Sequence, residues 1–318
     1  MLKILGSRQE AIAVGSAAAL FIFFWSWIGQ SWLNDFPTLL RDVSWLGIVA
    51  VGSAMVIISG EFDLSVGSVY AFVSMIFLVL VKAGIPVPGA FVLSMLLAAS
   101  IGCLNGFIVW YFRLPSLLVT LGFLFVYRGL VEWVTAGFTL AIPDEAQGQG
   151  LLRLLGGSMF GFNNSVFICA VLLGLFGFLM AKSRFGNHSY AVGGDPNAAL
   201  ATGVPVGRVK IKTFMISSLL AGFAGVMTAA SLSSVSTTTA TAMEFEAIAA
   251  AVIGGVALLG GAGTVWGAVV GVLTLLSLKH GLILQGVNIF VYQIVLGAVL
   301  VGLVAVKGVL PRTLFMAT

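Results

Sequence analysis

Charge is what this sequence has least of. Of 318 residues, 15 are Lys or Arg and 11 are Asp or Glu, 8% in all, while 60% are hydrophobic. A water-soluble domain carries roughly a quarter charged residues, so this composition, with a mean hydropathy of +1.14, excludes one and defines an integral membrane protein. Histidine and cysteine number two each. His188 and His280 have no partner at ligand spacing, and Cys103 and Cys169 lie inside apolar stretches where cysteine behaves as a small buried hydrophobe. No metal motif is expected, nor a Cys/His or Ser/His/Asp catalytic constellation. No G-x-x-x-x-G-K-[ST] sequence occurs, so the chain lacks the loop that cradles nucleotide phosphates and is not itself an ATPase. The net charge of +4 is small, and no basic run alternates with aromatics, which leaves nucleic-acid binding without support.

What the sequence does have is long uncharged runs. The first, residues 11 to 34, follows Lys3 and Arg8, and its 24 residues exceed a secretory signal core, so it reads as a retained transmembrane helix. Splitting the longer runs at glycine or polar interruptions yields ten candidate helices: 11 to 31, 43 to 59, 64 to 81, 89 to 111, 115 to 136, 164 to 181, 213 to 231, 246 to 260, 263 to 278 and 290 to 306. Ten crossings place both termini on one side. With the N-terminus inside, Lys3, Arg8, Arg113, Lys182, Arg184, Arg208, Lys210, Lys212, Lys307 and Arg312 are cytoplasmic and Arg41, Lys82, Arg153 and Lys279 external. Positive charge collects on the cytoplasmic side, so both termini are expected there. The whole chain, 1 to 318, reads as one transmembrane domain with an external loop at 137 to 163 and an internal segment at 182 to 212. The external loop is either a docking surface or a lid.

The internal segment contains a short helix signature. Asp195 suits an N-cap, Pro196 the first helical position, Asn197 to Thr202 continue, and Gly203 supplies a left-handed stop. Two turns are marginal in water, so the helix needs packing partners. It is either an ordinary capped turn or a contact for a soluble partner.

Two acidic junctions interrupt the apolar runs. In "SGEFDLSVGS" the Asp63 carboxylate is expected to accept from the backbone N–H of Ser65 or Val66 as the third helix begins, with Ser65, Gly67 and Ser68 allowing close helix approach. Glu61 either lies at the membrane surface or borders a polar path. "MEFEAIAAAVIGG" repeats the order acid, Phe, acid at Glu244, Phe245 and Glu246, on the opposite side of the bilayer in the proposed topology. Short, glycine-interrupted segments at matching places in two halves point to a transport path. Arg128 and Glu132, four apart on the fifth segment, are expected to pair as a structural ion pair. Asn105, Thr120, Asn288 and Gln293 are uncharged groups that either bind a hydroxyl-rich solute or bond helix to helix.

The stretch "GNHSYAVGGDPNAALATGVPV" resembles the cytoplasmic coupling segment of the ribose, xylose and galactose type ABC sugar permeases, a family related to branched-chain amino acid permeases. "GEFDLSVGS", "LNGFIVWYFRLPSLLVTLGFLFVYRGL", "MEFEAIAAAVIGG" and "LLGGAGTVWGAVVGVL" are similar to further family motifs, in the family's order. A departure stands at Glu61 and Phe62, where the family commonly has glycine and an aliphatic residue before the Asp. The resemblance implies an all-α polytopic membrane protein of about ten transmembrane helices, type II importer-like, with an inverted repeat of helices two to five and seven to ten. It implies ATPase coupling through Gly194, Asp195, Pro196, Asn197, Ala198, Ala199, Leu200 and Gly203, and a candidate path along Glu61, Phe62, Asp63, Ser65, Asn105, Thr120, Glu244, Phe245 and Glu246. Partners would be a second permease subunit, identical or not, an ABC subunit that binds ATP and Mg, and an extracytoplasmic sugar-binding protein, in a bacterial inner membrane. The chain itself would carry no cofactor. The cargo would be a monosaccharide, a related polyol or an autoinducer-like sugar derivative. The competing readings are an ion-coupled secondary transporter, which needs an ionisable group near mid-bilayer, and a channel or scaffold, for which no repeating pore ring is present.

Overall fold

A computed structural model of the protein describes residues 8 to 148 and 150 to 309. Lys3 and Arg312, both used in the charge count, and the two chain ends fall outside them. Among the described residues there are thirteen α-helices and four two-residue strands. Helices α1 (Arg8–Ile28) and α2 (Gln30–Ile58) are followed by an irregular stretch, then α3 (Val66–Lys82), α4 (Val87–Tyr111) and α5 (Ser116–Thr135). The stretch between α5 and the next long helix holds β1 (Leu140–Ala141), a 3-10 turn at Asp144–Ala146, α6 (Gly150–Gly156), β2 (Ser158–Met159) and β3 (Phe162–Asn163). Then come α7 (Asn164–Lys182), α8 (Arg184–Gly194), α9 (Pro196–Ala201), α10 (Val206–Leu232), β4 (Ser234–Val235), α11 (Met243–Ile253), α12 (Val265–Leu284) and α13 (Ile289–Val309).

Each of the ten expected segments falls on one of these helices, and seven of the helices are long and apolar enough to cross a membrane: α1, α2, α4, α5, α7, α10 and α12. The boundaries differ from expectation in three places. Helix α2 starts at Gln30 instead of 43, immediately after a left-handed Gly29, and runs through Pro37. Its 29 residues span about 44 Å, longer than a hydrocarbon core of about 30 Å. Its charges are accommodated because they are paired: Arg41 contacts Asp42 at 2.9 Å, and His280 of α12 lies 2.7 Å from Asp35 and 3.3 Å from Asp42. Helix α11 has 11 residues and ends at Ile253, so it reaches only about halfway through a bilayer. The segment 182 to 212 is more ordered than one short helix implies. Ser183 accepts the Gly186 N–H at 3.1 Å to open α8, and α10 begins at Val206, so Arg208, Lys210 and Lys212 sit on a helix instead of in a loop.

Helices α2 and α10 form the centre. In its most apolar window α2 is 89% buried and α10 61%, against 17% for α1 and α5 and 22% for α7, whose apolar side chains, such as Phe125 and Phe178, face outward as a lipid-facing ring would. Helix α2 packs against α10 and α12, and α10 against α3 and, most extensively, α4. Small residues permit this: a Cβ at Gly102 of α4 would stand 2.6 Å from the Met215 Cα of α10. The stretch between α5 and α7 folds back on the end of α10 through the antiparallel β1–β4 pair and an Asn163 to Ser231 hydrogen bond of 2.9 Å.

Candidate functional site

The stretch between α2 and α3 is irregular backbone that is buried from Asp63 to Ser65, where protein must satisfy its polar groups. Helix α5 supplies the partners. Ser116 and Thr120, one turn apart and so on one face, accept the N–H groups of Phe62 and Leu64, each at 3.0 Å. Asp63 Oδ1 accepts the Ser65 backbone N–H at 2.9 Å, one of the two alternatives expected, and also the Ser65 hydroxyl at 2.6 Å. The network continues through Asn105, which donates to Ser65 Oγ at 2.9 Å, to the Tyr127 hydroxyl, which donates to Asn105 Oδ1 at 3.1 Å. Asp63, Ser65, Asn105 and Thr120 thus meet in one buried polar cluster that ties α3, α4 and α5 to the break.

Glu61 points the other way. Its carboxylate pairs with Lys210 near the start of α10, with both side chains largely buried. One residue before the turn, Ser59 lies 3.3 Å from Thr213, a turn further along α10. Phe62, half-buried, packs against the main core.

The second irregular stretch, between α10 and α11, is held in a parallel way. Arg128 of α5 donates to the carbonyls of Thr237, Thr239 and Ala240 at 3.1, 2.9 and 3.4 Å. This corrects the expected pairing with Glu132, which is exposed and makes no ion pair with Arg128 among the described residues. The cation goes to the carbonyls because unpaired carbonyls inside the bundle are costly, whereas a carboxylate at the helix exterior can be solvated. Glu244 is buried in the first turn of α11, where its carboxylate sits against Gly67 in the first turn of α3. The two breaks therefore meet at the N-terminal ends of their half-helices. Glu246 turns away to Lys279 of α12 at 3.1 Å, and Lys279 lies 5.1 Å above the Tyr292 ring. Phe245 is exposed and joins neither cluster. Of the predicted path residues, Asp63, Ser65, Asn105 and Thr120 thus form one cluster, Glu244 lies separately against Gly67, and Glu61 and Glu246 are engaged in ion pairs.

Helix α9 is built as its sequence implies. Asp195 Oδ1 accepts the N–H groups of Asn197 and Ala198 at 2.8 and 3.1 Å, and Gly203, at φ +83°, follows the last turn. Ala199 is buried against Val192 of α8 and Val209 of α10, which supplies the packing so short a helix needs. Pro196, Asn197, Ala198 and Leu200 face outward, and Leu200 is 64% exposed. Between α9 and the α4–α5 turn lies a cavity of about 890 Å³, lined in part by Leu200, Arg113, Trp110, Glu61 and Lys210.

Sequence reasoning missed Ser116, Tyr127, Thr213 and Lys210. The spacing of Ser116 and Thr120 was a readable signal; Lys210 carried none, since its partner is 149 residues away. Among the described residues no group of three or more His, Cys, Asp or Glu is arranged to hold a metal.

Broken helices meeting inside a bundle, with a capped helix exposed beside them, define a multi-pass membrane transport protein. A sequence profile of the family described as "Branched-chain amino acid transport system / permease component" matches residues 37–304, and the chain belongs to that family. It is 39% identical over 269 residues to the "Probable ABC transporter permease protein YphD" of Escherichia coli (strain K12), covering 85% of this chain and 80% of that one. It is 36% identical over 262 residues to the "L-arabinose ABC transporter permease protein AraH" of Azospirillum brasilense, covering 82% and 76%. To the "Autoinducer 2 import system permease protein LsrC" of Salmonella typhi it is 30% identical over 309 residues, 97% and 88% of the two chains. No solved structure matches. The chain is an ABC transporter permease subunit and not an ATPase.

Proposed function

We propose that the chain, with a second permease subunit, forms the membrane conduit of an ATP-driven importer for a monosaccharide, a related polyol or a small sugar derivative. The observation that carries the reading is α9: a capped helix with Leu200 outward, lying beside the cavity into which Glu61 of the first break extends. A separate subunit binding ATP and Mg docks on α9, and an extracytoplasmic binding protein delivers the solute on the opposite side. Both termini are cytoplasmic, as the distribution of Lys and Arg supports.

Helix packing supports an inverted repeat of α2 to α5 and α10 to α13. In each half the first helix packs on the third helix of the other half, α2 on α12 and α10 on α4, and each half begins with a helix broken before a shorter one. Nucleotide state must favour one conformation over the other, and α9 is where that bias enters. Asp63, Ser65, Asn105 and Thr120, and Glu244 beside Gly67, carry carboxylate, hydroxyl and amide groups of the kind that bond sugar hydroxyls; they are buried in this conformation and would meet solute only as the breaks open. The arabinose and autoinducer 2 permeases among its relatives support cargo of this class.

The test is reconstitution of the chain in liposomes with its ATPase and binding protein, followed by uptake of a panel of labelled sugars. Uphill uptake that requires ATP and persists when ion gradients are collapsed is expected. Uptake that survives ATP depletion and stops with the ion gradient would overturn the reading. Replacing Asp195 with Ala removes both capping bonds and is expected to lower solute-stimulated ATP hydrolysis while membrane insertion is preserved.

A further inference from the structure

Immediately before Asp195, α8 ends at Gly193 and Gly194, and here three distant stretches of backbone touch. Gly193 lies against Ile58, the last residue of α2, and a Cβ on it would overlap the Ile58 carbonyl oxygen and stand 2.6 Å from the Gly261 nitrogen. Gly260 and Gly261 belong to the turn between α11 and α12. A Cβ on Gly260 would stand 2.8 Å from both the Gly193 oxygen and the Gly60 Cα, and one on Gly261 would stand 2.9 Å from the Gly194 Cα. The Gly261 N–H donates to the Ile58 carbonyl at 2.9 Å, which closes the joint. Gly60, Gly260 and Gly261 all have left-handed φ values of +84°, +82° and +74°, which side chains of L-residues rarely adopt.

Two of the three stretches are the turns that adjoin the half-helices α3 and α11. The third carries α9. Side chains can take up a small displacement by changing rotamer; bare backbones in contact cannot, since a close-packed interior is nearly incompressible. We propose that Gly60, Gly193, Gly260 and Gly261 are the positioning residues that pass a displacement of α9 to the first break and to the α11–α12 turn at once. Glu61, one residue beyond Gly60, moves with the joint, so its pairing with Lys210 responds to α9. This rests on the reading of α9 as the ATPase contact and adds the route by which that contact reaches the path. A route of this kind requires an element whose arrangement differs between nucleotide states, which defines the test.

Hydrogen exchange is followed on the full assembly of chain, ATPase and binding protein, nucleotide-free and trapped with a non-hydrolysable ATP analogue. Protection is expected to change together in segments 189–195, 57–62 and 257–263. A change in 189–195 with the other two unaltered overturns the proposal; no change in 189–195 overturns both it and the coupling role of α9. As a variant, Gly193→Ala is expected to retain the ATPase on purification, since α9 is intact, but to lose solute uptake per ATP hydrolysed. Gly174→Ala, on an open side of α7, is expected to behave as the unaltered chain. Full uptake by Gly193→Ala refutes the joint. If Gly193→Ala does not fold, the exchange measurement on the unaltered protein decides, and an unaltered chain that binds no ATPase fails the functional reading independently of the glycines.

Discussion

Replacing Glu61 by Gln leaves Lys210 without a counter-ion in a place where the relative exposure of its side chain is 19% and that of Glu61 is 11%. Removing one partner of a fully buried pair costs about 3 to 5 kcal/mol, mostly because the remaining charge is stranded. The cavity beside Lys210 lets water approach, so the lower end, about 3 kcal/mol, applies. Lys210→Met, which strands Glu61 instead, costs a similar amount. The double variant Glu61→Gln with Lys210→Met strands neither charge and is expected to recover most of the loss, giving a coupling energy of about 2 kcal/mol or more in a double-mutant cycle. Thermal unfolding of the purified, detergent-solubilised chain, with all four forms compared, measures it. Strictly additive effects of the two substitutions would refute the pairing. A second readout follows from placement: because the pair joins the first break to α10, the double variant is expected to raise basal ATP hydrolysis in the reconstituted assembly even where stability recovers.

Ser116→Ala with Thr120→Val deprives the Phe62 and Leu64 N–H groups of acceptors inside the bundle, at about 1 to 3 kcal/mol each, and is expected to lower the unfolding temperature more than the same change at exposed Ser100. Arg128→Met frees the carbonyls of Thr237, Thr239 and Ala240; faster proteolysis within 233 to 242 checks it, whereas Glu132→Gln is expected to leave proteolysis unchanged. Leu200→Asp places a charge on the outward face of α9 without touching its cap, so co-purification of the ATPase is expected to fall with no loss of stability.

The parts of the protein that the residues disclosed are those governed by local rules. Uncharged runs of membrane length located every long helix, because apolar side chains and internally bonded backbone are the condition for crossing lipid. The Asp195 cap and the Gly203 stop were legible because both act within a few residues of chain. The extension of α2 back to Gln30 was hidden, since Asp35 and Asp42 look like loop charges until His280, 245 residues away from Asp35, is seen beside them.

Arg128 shows the same limit. Its spacing to Glu132 satisfied a local rule, but carbonyls more than 100 residues distant made the stronger claim on it. The sequence by itself determined that this is a multi-pass membrane chain, where its acidic junctions lie and that a capped helix stands outside the apolar runs, because composition, periodicity and capping need no knowledge of the rest of the fold. Tertiary structure alone decided that the two breaks meet at Gly67 and Glu244, that α5 satisfies both, and that α8 presses backbone to backbone on Ile58 and Gly261. Those contacts join residues far apart in the chain, and only the packing of α2, α10 and α12 into one bundle brings them within reach.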